Sequence, residues 1–225
     1  MTTKPVLGIS GCLTGSAVRF DGGHKRMGFV MDELAQWVAF RPVCPEMAIG
    51  LPTPRPALRL VMTTGGETEM RFSKAPHDDV TQKMAAFTAD YLPKIGDLSG
   101  FIVCAKSPSC GLERVRLYDE NGNRGRKEGV GLFTAALLET YPWLPVEEDG
   151  RLHDPVLREN FIERVFALHE LNTLRAKGLT RRALLDFLRR IERGRFSALC
   201  RLKNRRGQKR GLDLVAADVR KADGI

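Results

Sequence analysis

The sequence predicts an α/β protein: a mostly parallel sheet with flanking helices, followed by a basic helical tail. Three observations carry that expectation. Short apolar runs of strand length alternate with longer stretches of helical spacing, the order that builds a parallel sheet covered by helices. Loops bearing Gly and Pro punctuate the joins. The positive charge gathers at one end: residues 173–225 hold 16 Lys/Arg and 5 Asp/Glu, against 20 and 22 in the preceding 172.

The elements follow in order. "PVLGIS" (5–10) has the length and apolar character of a buried strand. "HKRMGFVMDELAQWVAF" sets Val30, Leu34, Trp37 and Val38 at helical spacing, and "RPVC" (41–44) is a second strand ended by Pro45. "ALRLVMT" and "EMRFS", joined through Gly65-Gly66, form a hairpin pattern. A helix is expected from about Asp78, with Val80, Met84, Phe87 and Tyr91 on one face. "GFIVCA" (100–105) is another buried strand, "RVRLYDENGNRG" carries an Asn-Gly turn, "VGLFTAALLETY" is a packed helix and "WLPVEE" a last strand. Asp154-Pro155 supplies an N-cap and a first-turn proline for the next helix, and Thr180 caps one more. Beyond Gly194 the pattern weakens into "RLKNRRGQKRG", where little order is expected. The division that follows is a 1–172 α/β domain and a 173–225 basic segment, helical to disordered.

Bulk properties narrow the class. At 225 residues with 43% hydrophobic and 28% charged residues, the chain has the composition of an ordinary globular protein. No apolar run approaches the roughly 20 residues that span a bilayer, so no membrane partner is expected. "MTTKPVLGIS" lacks the charged start and apolar core of a signal peptide, so a cytoplasmic location is expected. Five cysteines, at 12, 44, 104, 110 and 200, are odd in number and widely spread. In a reducing compartment that favours metal binding, catalysis or plain burial over a disulfide framework.

Three of the cysteines share a position. Cys12 follows the strand "VLGIS" in "GCLTG", Cys44 ends "RPVC", and Cys110 follows "GFIVCA" in the stiff polar loop "KSPSCG". In open α/β sheets, ligands bind beyond the carboxyl ends of the strands. Three strands thus deliver three thiols to one edge, and three convergent sulfurs suit an iron–sulfur cluster; scattered core cysteines are the competing reading. Three ligands leave one iron of a cubane without a protein donor, and an open position distinguishes a working metal site from a structural one. Cys104, inside an apolar strand, and Cys200, inside the basic tail, are expected to be structural.

"SGCLTG", "VRFDGGHKR", "CPEMAIGLPTPRP", "KSPSCGLERV", "GVGLFT" and "DPVLRENFIERVF" together resemble the thiouracil desulfurase family, in consistent order over residues 5–172. The resemblance implies a Rossmann-like domain with a [4Fe-4S] cluster on Cys12, Cys44 and Cys110. It implies removal of sulfur from thiolated uracil without net redox change, giving uracil and sulfide. It also gives catalytic weight to Glu46 in "CPE" and to Ser107, the first serine of "SPSCG". Relatives with a longer C-terminal extension are similar but act on 4-thiouridine in tRNA; "LTRRALLDF" resembles the start of that extension, and the Arg/Lys-rich stretch after it does not.

On that basis Glu46 is expected to move protons, with burial raising its pKa toward neutrality. Ser107 is expected to donate a hydrogen bond to the ring or to developing oxygen charge. His24, Lys25 and Arg26 are either a solvated turn or a hold on a phosphate or uracil edge, with His24 read as turn. Arg55 draws interest only by lying beside Cys44. The basic segment is a candidate contact for tRNA. The alternative in a different class is a non-enzymatic RNA-binding protein with a structural metal site.

Overall fold

The structure, a computed structural model, describes residues 4–74, 78–123 and 125–194. Two four-stranded sheets and five helices carry the fold, and one apolar core of buried residues runs between them. The first sheet joins β1 (Val6–Ser10), β2 (Ala39–Val43), β5 (Gly100–Val103) and β8 (Val146–Glu148) in the order β2-β1-β5-β8. Every pairing in it is parallel. Strand order reverses between β1 and β5, and a reversal of that kind opens a crevice at the carboxyl ends of the two strands. β5 is buried at all four positions, as a strand covered on both faces must be. Gly8 in β1 is there for space: a Cβ would lie 2.3 Å from the Phe101 ring on the neighbouring strand.

The second sheet was not foreseen as a separate layer. It holds β3 (Leu58–Met62), β4 (Thr68–Phe72), β6 (Val115–Tyr118) and β7 (Arg126–Gly129) in the order β4-β3-β6-β7. Two antiparallel hairpins meet through a parallel β3–β6 pair. The Gly65-Gly66 hairpin is as expected. β7, an edge strand reading "RKEG", has no alternation that sequence could reveal.

The helices are α1 (Pro45–Ala48), α2 (Thr81–Tyr91), α3 (Leu132–Thr140), α4 (Pro155–Ala176) and α5 (Arg181–Gly194). α2 starts three residues later than expected, because Asp79 pairs in a bridge with Arg71 while its carboxylate accepts from the Thr81 N–H at 2.8 Å. Asp154 caps α4 as read, accepting from Val156 and Leu157 N–H groups at 2.8 and 3.2 Å, and Thr180 accepts from Ala183 N–H at 3.2 Å. Residue 172 falls within α4, and α5 packs back on that helix through Leu171, Leu184 and Phe187. No described helix is long and apolar enough to cross a membrane.

One helix expectation fails. Between β1 and β2 the chain makes a π turn (Phe29–Glu33) and then a 3₁₀ turn (Leu34–Gln36). The change of pitch keeps Val30, Leu34 and Val38 buried but swings Trp37 outward, where it is 66% exposed.

Candidate active site

Three strand ends supply the site. After β1 a 3₁₀ turn (Gly11–Thr14) carries Cys12; after β2 Cys44 is the extended N-cap of α1, with Pro45 in the first turn. After β5 the chain from Cys104 to Arg114 carries Ser107, Ser109 and Cys110. These residues line one cavity of about 360 Å³, within the size range of small-molecule sites. Its wall holds four sulfurs, those of Cys12, Cys44, Cys104 and Cys110, together with Phe20, Lys25, Glu46 and Arg55.

All four cysteines are free. Burial pushes the Cys110 thiol up to about 12 and raises Cys44 as well. A hydrogen bond with Cys104 raises Cys12 further, and the same contact lowers Cys104. Thiols kept neutral by burial become thiolates when a cationic centre replaces their protons. Among the described residues no three His, Cys, Asp or Glu side chains form a site for a single ion. Four sulfur donors around one cavity are the donor chemistry that a soft, thiolate-bound metal centre takes.

The Cys110 loop is tied down from every side. Ser107 Oγ accepts from the Cys110 and Ser109 N–H groups at 3.1 and 3.3 Å. The first N–H groups of α3, free of intrahelical partners, donate to it: Leu132 to the Pro108 carbonyl at 3.1 Å and Phe133 to that of Ser109 at 3.0 Å. Thr134 Oγ1 donates to the Cys110 carbonyl at 2.6 Å. Gly131 permits this docking, since a Cβ there would stand 2.5 Å from the Ser109 carbonyl; that is the physical content of "GVGLFT". At the end of β8 Glu148 accepts from Leu112 N–H at 2.8 Å, and Asp149, just past the strand, accepts from Ala105 N–H at 2.7 Å while pairing with Lys25 at 2.6 Å.

Glu46 is almost enclosed, at 8% exposure. Ser109 Oγ donates to its Oε1 at 2.7 Å. Arg55 Nε and Nη2 donate to Oε2 at 2.9 and 2.6 Å. The remaining Arg55 donors reach the Val18 carbonyl at 3.0 Å, the Pro52 carbonyl at 3.1 Å and Thr53 Oγ1 at 3.0 Å. Ser109 and Ser107 hydroxyls lie 3.0 Å apart. With the Ser109 proton committed to Glu46, Ser107 is the donor in that contact.

Of the residues singled out in the sequence, Cys12, Cys44, Cys110, Glu46 and Ser107 all line this cavity. Two expectations change. Cys104 is buried, as a structural cysteine should be, yet it sits on the cavity wall against Cys12. Glu46, expected to stand on burial alone, has an ion-pair partner in the Arg55 guanidinium at 2.6 Å. His24 belongs to a turn, its Nδ1 accepting from Arg26 N–H at 3.2 Å, while Lys25 reaches the cavity and Arg26 pairs with Asp32. Cys200 lies outside the described residues. Sequence reasoning passed over Ser109, the Glu46–Arg55 pair and Asp149. Only Arg55 had a signal, its closeness to the "CPE" turn.

A parallel α/β sheet that gathers thiols and a paired carboxylate at its carboxyl edge defines a thiol-lined domain of the kind that holds a soft metal centre. Residues 7–149 match the 2-thiouracil desulfurase family, and the chain belongs to that family. It is similar to a solved structure described as the [4Fe-4S]-dependent thiouracil desulfidase TudS. The two share 30% identity and a TM-score of 0.53, over 70% of this chain and 97% of that one. No curated protein matches the chain.

Proposed function

We propose that this protein is a [4Fe-4S]-dependent desulfidase that converts thiouracil and water to uracil and sulfide without net redox change. The observation that carries this reading is the meeting of Cys12, Cys44, Cys110, Glu46 and Ser107 at one cavity from three separate strand ends. The three cysteines would hold the cluster, whose remaining iron supplies Lewis acidity toward a thiocarbonyl sulfur.

The chain's own groups do the rest. Glu46 Oε1 and Oε2 accept hydrogen bonds in the ground state. The carboxylate takes a proton from the attacking water and lends it to the ring nitrogen. As the C–S bond breaks and the carbonyl forms, that proton and the second water proton leave with the sulfide. Arg55 and Ser109 fix its orientation, so the carboxylate is poised before substrate arrives. The Ser107 hydroxyl, which points its proton at Ser109 Oγ before substrate binds, turns it toward the oxygen that forms at the ring carbon. The apolar walls at Val18, Val43 and Leu58 limit water beside the reacting carbon.

The finer reading, action on 4-thiouridine in tRNA, rests on charge. Residues 173–225 carry the positive excess, and we assign the site to 1–172 and the polyanion contact to 173–225. The test is incubation of the anaerobically reconstituted protein with 2-thiouracil, 4-thiouracil, 4-thiouridine and thiolated tRNA, with sulfide measured in each. Release from the free bases supports the desulfidase; release from tRNA alone moves the substrate to RNA. An iron-loaded protein that binds RNA and releases no sulfide is instead the non-enzymatic alternative.

A further inference from the structure

We infer that Phe20 is the stacking platform for the pyrimidine ring at the mouth of the cavity, an assignment that rests on the desulfidase reading. Seven large apolar side chains are exposed among the described residues, and of these Phe20 alone lines the cavity. It is 42% exposed, and leaving a phenyl ring in water costs free energy that burial elsewhere would recover.

The fold holds the ring out by design of its backbone rather than by default. Residues 19–23 close a tight turn: Gly22 N–H donates to the Arg19 carbonyl at 3.0 Å and Arg19 N–H to that of Gly23 at 3.2 Å. Asp21 Oδ1 accepts from Gly23 N–H at 3.0 Å. The turn is then fastened to the reacting groups by Arg55. Its backbone N–H donates to the Phe20 carbonyl at 2.8 Å and its Nη2 to the Val18 carbonyl at 3.0 Å, while the same guanidinium grips Glu46. One buried residue therefore holds the carboxylate through its guanidinium and the lip that carries the ring through its backbone N–H. The Arg19 guanidinium lies 5.7 Å from the ring centroid and restrains it further.

A planar heteroaromatic ring is the ligand this surface suits. Base-on-aromatic stacking tolerates the exact base because every base has a π-face. It also acts alike on thiouracil and on uracil, which differ in one atom, so its contribution is equal binding of substrate and product. That places Phe20 in KM rather than in kcat.

The experiment uses the reconstituted full chain and three variants: Phe20→Tyr, Phe20→Leu and Phe20→Ala. Uracil binding is measured by calorimetry, with iron content and thiouracil kinetics alongside. Loss of the ring in the Leu and Ala variants should weaken uracil by about 5- to 100-fold, raise KM for thiouracil in parallel and leave iron content and kcat near the parent values. The Tyr variant, which keeps the ring, should bind as the parent does. Unchanged uracil affinity in the Leu and Ala variants overturns the stacking role while leaving desulfidase activity standing. Ring-dependent uracil binding without sulfide release supports the stacking role and removes the desulfidase reading. A parent protein that binds neither uracil nor thiouracil overturns both.

Discussion

Arg55 meets a single oxygen of Glu46 with two donors, Nε at 2.9 Å and Nη2 at 2.6 Å. Both side chains are nearly buried, so the pair is shielded from the screening that weakens surface ion pairs. Breaking such a pair costs more than the pair contributes, because one charge is left without a partner. The carboxylate proposed to move protons and the fold thus share one interaction, and substitutions here should show in both.

Glu46→Gln should keep its iron and lose turnover by about 10²–10⁴-fold, the contribution of a general acid–base group. Thermal unfolding should show a loss approaching 3–5 kcal/mol, from a buried guanidinium left uncompensated. Arg55→Lys retains charge but cannot reproduce the fork, and should lower both kcat and stability. Parent-like turnover in Glu46→Gln would make Glu46 an architectural residue.

Cys12→Ser, Cys44→Ser and Cys110→Ser should each abolish the brown colour and iron of anaerobically purified protein. Cys104→Ser should retain iron although Cys104 opens the Cys110 loop and shares the cavity wall, because serine keeps a hydrogen-bond partner for Cys12 and the proposed ligand set is complete without it. Iron analysis of the four variants decides the ligand set. Full loss in Cys104→Ser would enlarge it.

Ser109→Ala removes the donor from Glu46 Oε1 at 2.7 Å and should destabilise the protein by about 1–3 kcal/mol, the cost of a buried acceptor left unsatisfied. Its effect on turnover should exceed that of Ser109→Thr, which keeps the hydroxyl. Ser107→Ala should cost less turnover than Glu46→Gln. Unfolding and kinetic measurements on the set distinguish these roles.

Glu148 gives a pH signature outside the reacting groups. Burial raises its pKa, so the folded protein holds the proton more tightly than the unfolded chain does. The unfolded chain then binds fewer protons as pH rises through this range, and stability falls with it. Glu148→Gln keeps an acceptor for Leu112 N–H and carries no charge. Its stability relative to the parent should therefore improve as pH rises above the ordinary carboxyl range. A difference independent of pH would contradict this.

Much of the framework was legible because it follows from local chemistry. The buried strands announced themselves as short apolar runs, and Asp154-Pro155 announced α4 through its cap. The three ligand candidates were legible by position, each lying in the segment that follows a strand. What stayed hidden depends on contacts far apart in sequence. Ser109 looks like any turn serine until Glu46, 63 residues away, arrives beside it. Cys104 looked structural because its strand is apolar, and only the turn after β1 brings Cys12 against it. Trp37 was misread because a π turn followed by a 3₁₀ turn breaks the 3.6-residue period on which the helical pattern relies.

The most direct test of the central claim is sulfide release from 2-thiouracil by the reconstituted protein, with uracil quantified in the same reaction. Equal amounts of sulfide and uracil are expected over many turnovers, without added reductant or oxidant, and none from Cys110→Ser. Iron-loaded parent protein that yields no sulfide, or that requires an electron donor to do so, would contradict it.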